Sequence, residues 1–249
     1  MSNLLLKRVL DLNNIDIFKT NNKEFMTVNG TINKSLILIL ITLASAIFSF
    51  YYIHSPLLMV LTGAMGAIIM LILFVWAYFE YNNPKLVKYL SPIYAIVEGL
   101  SIGVISQIFE SSYEGIVSQA LFMTFGIFLI MFLIYKYRII EVTSKFKVVI
   151  ISTTLGIAIF YFISFILAIS GIYLPTFKSG AVGIGFSLFV GTVASLNLLL
   201  DFDMIETMIK NQFPKDFEWY CAFSLLVTLI WIYVEMLSFI KKIRDNIDY

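Results

Sequence analysis

A single cysteine, Cys221, and a single histidine, His54, stand among the 249 residues of this chain. One thiol excludes an intramolecular disulfide framework, and one imidazole excludes the paired-histidine zinc sites of membrane metalloproteases. His54 precedes Pro56 in a short turn between apolar runs, and Cys221 reads as a small buried hydrophobe. Charge is scarce too: Asp, Glu, Lys and Arg make up 13% of the residues, where a soluble domain carries about 25%. The net charge of +1 leaves no basic surface for nucleic acid. Residues 1–34 lack the continuous apolar stretch of a signal peptide, so they are expected to be retained as an arm.

What the chain has in abundance is apolar side chains, 60% of the total, with a mean hydropathy of +0.92. A soluble core of this size would leave too much of that surface in water. Apolar runs of about 20 residues, the length that crosses ~30 Å of hydrocarbon, occur at 35–53, 56–79, 89–108, 115–135, 148–169, 180–200 and 219–240. Each is expected to be a helix, because an open strand at that depth leaves backbone groups unpaired and no alternating barrel pattern is present. The expected fold class is therefore all-α: a polytopic membrane protein of seven transmembrane helices. An arm at 1–34 precedes the membrane domain at 35–240, and a short basic tail follows at 241–249. Within the arm, Leu4, Leu5, Leu6, Val9, Leu10 and Leu12 beside Lys7 and Arg8 fit either an amphipathic surface helix or an ordinary polar arm.

Threading follows from Lys and Arg. With the N-terminus cytoplasmic, only Lys178, Lys241, Lys242 and Arg244 of the 17 basic residues fall outside. The basic tail opposes the rule, so the last segment either crosses against it or is re-entrant. The expected location is the cytoplasmic (inner) membrane, with the lipid bilayer as the first partner.

Ionisable residues inside spans cost about 2.5 to 3.5 kcal/mol at a helix centre and so point to function. Glu98 lies in the third span, Asp201 and Asp203 close the sixth, and Glu235 lies in the seventh. In the sixth, Gly183, Ser187, Gly191, Ala194, Asn197 and Asp201 recur every three or four residues and form one small polar stripe. In the seventh, Cys221, Ser224, Thr228, Trp231, Glu235 and Ser238 do the same, which turns Glu235 toward other helices. Asn197, Ser224 and Thr228 are the supporting polar residues of these stripes. Tyr94, Glu98 and Ser101 share a face in the third span, beside a GxxxG edge at Gly99 and Gly103.

Enzyme readings fail on these residues. A retinal protein needs a lysine well inside its last span, and the first there is Lys241. An intramembrane aspartyl protease needs two Asp on separate helices, whereas the last span offers Glu235. No enzyme activity and no resident cofactor are expected. Cation or proton handling fits better: carboxylates are hard ligands for Ca²⁺, here Asp201, Asp203 and Glu235, and paired buried carboxylates switch with pH.

The segments "FMTVNGTINKS" (25–35), "SPIYAIVEGLSIGVISQIFE" (91–110), "YRIIEVTSKFK" (137–147), "GIGFSLFVGTVASLNLLLDFDMIE" (183–206) and "EWYCAFSLLVTLIWIYVEML" (218–237) together resemble the Bax inhibitor-1 (transmembrane Bax inhibitor motif) family, in its bacterial YccA-like branch. The resemblance implies a central last helix wrapped by the other six, and a pH-sensitive calcium leak. It also implies that an aromatic-Asp pair near the end of the sixth helix, matched by Phe202 and Asp203, meets an acid in the last helix. Glu235 stands where the family has Asp. Three partners for Glu235 stay open: Asp203 by resemblance, Asp201 by periodicity, and Glu98 by depth if the last helix is straight. The alternative functions are a non-conducting modulator of a membrane protease or another membrane protein, and a proton-coupled transporter.

Overall fold

The computed structural model describes residues 24–53, 85–172, 174, 176 and 179–247, with isolated positions at 57, 61, 65 and 68. Apart from those isolated positions, the expected second span (56–79) lies outside the described residues, as do His54 and the leucine-rich stretch of the arm.

Six helices follow one another: α1 (Val28–Tyr52), α2 (Lys85–Ser112), α3 (Ile116–Lys136), α4 (Ser144–Ile169), α5 (Ala181–Lys210) and α6 (Phe217–Ile247). All six are long and apolar enough to cross a membrane. The all-helical, polytopic expectation holds, with six such helices among the described residues where seven spans were expected. Two helices extend beyond the expected apolar runs. The arm becomes helical at Val28, seven residues before the apolar run begins, and residues 241–247 of the expected tail continue α6.

Local chemistry sets the helix ends. Thr27 is extended and its Oγ1 accepts from Gly30 N at 3.0 Å, starting α1; Thr143 does the same for α4 through Phe146 N at 3.2 Å. At α3 the N-cap is Gly115 in the left-handed region (φ 77°) and offers no side chain. The Glu110 carboxylate takes over, accepting from Gly115 N at 2.7 Å and Val117 N at 3.0 Å, an anion where a helix start favours one. Helix α5 stops in a Schellman turn: Gln212 N donates to Ile209 O (3.0 Å), Phe213 N donates to Met208 O (3.1 Å), and Pro214 follows.

Two compact units result, each built from two chain segments. The first comprises Met1–Ile108 and Asp203–Val227. Here the GxxxG edge of α2 lies on α1: a Cβ at Gly99 would come within 2.5 Å of Thr42 O, and one at Gly103 would overlap Ala46 O. The close approach lets Ser49 Oγ donate to Leu100 O at 2.6 Å. Met26, Met208, Phe213, Phe217 and Cys221 form a buried apolar core in the same unit. The second unit comprises Phe109–Phe202 and Thr228–Tyr249. Its core is Ile157, Val190 and Val193, flanked by Tyr161, Phe186 and Trp231, while Phe202 packs among Phe128, Phe132 and Tyr135.

Lipid-facing and protein-facing helices separate by burial. In their most apolar windows α1, α3 and α4 bury only 17%, leaving Phe122, Phe125, Phe162 and Phe165 exposed, whereas α6 buries 61%. Hydrocarbon is the solvent that such bare surfaces require.

Candidate functional site

The polar stripes of α5 and α6 face one another within the second unit. Thr228 Oγ1 donates to Asp201 Oδ2 at 2.6 Å. Further along, a Cβ at Gly191 would lie 2.8 Å from Met236 Cε and 3.7 Å from Glu235 Cγ, so α6 packs closely on the glycine there. Farther still, Lys242 reaches Ser187 Oγ at 2.8 Å. The order 201, 191, 187 against 228, 235, 242 is that of antiparallel neighbours. Helix α4 adds a side: Asn197 Nδ2 donates to Thr154 Oγ1 at 2.9 Å, and Tyr161 OH donates to Glu235 Oε2 at 3.0 Å.

Glu235 is 5% exposed and Asp201 6% exposed, so both carboxylates sit inside protein rather than lipid or water. Each has a hydroxyl donor, which a carboxylate in a dry site needs. Ser187 Oγ accepts from Lys242 at 2.8 Å, and both residues act electrostatically on Glu235. Carboxylate, hydroxyl and ammonium thereby form one buried chain, and the charge of Glu235 is answered from within. Thr228 and Glu235 are seven residues apart on an unbroken helix, about 10 Å along its axis. Asp201 therefore sits two turns from Glu235, each with its own donor.

The remaining expected residues are placed as follows. Asp203 is half-buried on α5 and Glu98 half-buried on α2, both in the first unit. Tyr94, one turn before Glu98, stacks edge-on against Phe223 with ring centres 5.1 Å apart. Ser224 is half-buried on α6. Among the described residues no three Asp, Glu, His or Cys side chains gather as a metal cluster.

Sequence reasoning missed three participants. Lys242 was counted into the tail, although it continues the α6 stripe four residues past Ser238. Tyr161 carries no charge and lies in a uniformly apolar run. Glu218 is the third: fully buried, it accepts from Thr27 N (2.9 Å) and Thr27 Oγ1 (3.1 Å) and pairs with Lys34, whose ammonium also lies 5.7 Å from the Trp219 ring centre. A Cβ at Gly30 would overlap that carboxylate. The segments 25–35 and 218–237, far apart in sequence, therefore meet at one buried ion pair.

That meeting joins two of the segments that carried the resemblance, and a comparison with family models agrees with it. Residues 9–245 match the model described as Bax inhibitor 1 like. The chain belongs to the Bax inhibitor 1 like family. No curated protein matches it. For a Bax inhibitor 1 like protein, the acids of α5 and α6 are where the family resemblance placed function. In this Bax inhibitor 1 like chain they stand on separate hydroxyl partners along one helix pair.

Proposed function

We propose that the protein is a pH-sensitive calcium leak of the bacterial YccA-like branch, with seven spans, a central last helix and a cytoplasmic N-terminus in the inner membrane. The observation that carries this reading is Glu235: 5% exposed, held by Tyr161 at 3.0 Å and under the electrostatic influence of Ser187 and a buried lysine. A carboxylate kept in a helix bundle at that cost is a functional group by default. Protonation removes the charge that Tyr161, Ser187 and Lys242 are arranged around, so contacts between α4, α5 and α6 within their unit loosen together. Calcium then passes along the helix pair, where Asp201 is the carboxylate it meets, rather than entering a closed shell.

The test is calcium entry into liposomes holding the purified full-length protein, across roughly pH 6 to 8. The wild type passes calcium with a rate that changes over this range. Glu235→Gln keeps shape and hydrogen bonding but cannot titrate, so its rate is flat. A wild type with no flux overturns the leak. One observation favours a second reading in that event: the Glu235 charge is already neutralised internally, which suits a non-conducting modulator of another membrane protein.

A further inference from the structure

The ammonium of Lys242 sits in a shell of oxygens. Lys242 is 8% exposed, and its Nζ donates to Ser187 Oγ at 2.8 Å, to Thr176 O at 3.0 Å and to Gly183 O at 3.3 Å. Three donors meet three acceptors, the full complement of an ammonium. The hydroxyl of Thr176 is also buried and finds no hydrogen-bond partner among the described residues. The residue that gives the ammonium its carbonyl thus also keeps a buried hydroxyl with no partner among the described residues. Behind Ser187 stands the Glu235 carboxylate.

Two backbone carbonyls and a hydroxyl, with one negative charge behind them, make the donor set of a bound cation. Rings of carbonyl oxygens that replace a hydration shell are how proteins hold potassium. The distances decide which cation fits. Calcium takes oxygen at about 2.3 to 2.6 Å and magnesium at about 2.0 to 2.1 Å, shorter than all three contacts here. The shell is sized for a large monovalent ion.

We infer that Lys242 is a tethered occupant of a monovalent-cation site. The shell of Ser187 Oγ, Gly183 O and Thr176 O, backed by Glu235, takes a free ion of the potassium or ammonium class when the lysine ammonium is absent. This goes beyond the calcium leak, and it is read by binding rather than by flux, so each can fail without the other.

The experiment uses the full-length protein in detergent, with thermal unfolding followed in potassium, ammonium or choline chloride at equal ionic strength. Lys242→Ala empties the shell, and its midpoint rises in potassium or ammonium over choline by roughly 2 to 4 °C, the shift of a ligand well above its Kd. Wild type shows no such difference, because its site is filled. Lys242→Met, whose side chain still fills the space, shows none either, and adding Ser187→Ala to Lys242→Ala removes the rise. Equal midpoints of Lys242→Ala in all three salts overturn the inference. So does an equal rise in wild type, or a Lys242→Ala protein that fails to fold in every salt.

Discussion

Two acid–base pairs that share a unit show how environment decides what a charge is worth. Glu24 and Lys215 pair at the surface, half or more exposed, and next to them Lys215 N donates to Glu24 O at 2.9 Å. The hydrogen bond to Lys215 holds the Glu24 carboxyl below its usual 4.5, and the same bond raises the lysine above 10.5. The contribution of Glu24 is therefore present above its ordinary value and lost as pH falls through the lowered one. That of Lys215 is present below its ordinary value and lost as pH rises through the raised one. The pair is intact through the whole neutral range, yet solvent and salt screen it. Glu218, by contrast, has no exposure, and its removal strands Lys34 and two donors of Thr27. Lys215→Met is expected to leave stability nearly unchanged, whereas Glu218→Leu costs about 3 to 5 kcal/mol. Denaturant unfolding in mixed micelles measures both, and equal losses would refute the distinction. Nothing in the sequence foretells this difference, since each acid's partner lies some 190 positions away.

The helices themselves were legible because lipid imposes one rule, about 20 apolar residues with every backbone group paired internally. Each of the six runs among the described residues became a helix, and the α5 and α6 stripes pointed to their actual contact. Ends were less legible. A hydropathy window stops at the first charges, so it ended the last span before Lys241, whereas α6 runs for 31 residues to Ile247 with Lys242 turned inward. Lysine has a long apolar stem, and periodicity rather than polarity shows which way it faces. The GxxxG edge, a weak signal alone, proved to be a backbone contact because Ser45 and Ser49 of α1 are small where it lands. Gly103→Ala must push the α1 backbone aside and is expected to cost about 1 to 3 kcal/mol. Gly126→Ala on α3 and Gly156→Ala on α4, where nothing stands within 4 Å, are expected to be neutral or slightly stabilising. The same unfolding assay ranks the three, and a neutral Gly103→Ala would mean the contact is looser than described.

At the scale of the whole molecule, the proposed threading puts the connection between α3 and α4 in the cytoplasm, where Lys136, Arg138, Lys145 and Lys147 satisfy the charge rule. Ser144 opens α4 in that connection and is exposed. With Cys221 changed to Ser, Ser144→Cys should resist an impermeant thiol reagent in intact cells and react after permeabilisation. Reaction from outside would invert the topology. The native thiol has a different use. Cys221 has no exposed surface and lies against Met208, whose sulfur is 3.6 Å away, in the core that Phe213 and Phe217 complete. A reagent reaches it only when that core opens, so its modification rate counts openings instead of contacts. Because the chain has no second cysteine, the unaltered protein carries its own clock for local breathing at the start of its last helix, with no label to engineer and no rival signal to subtract.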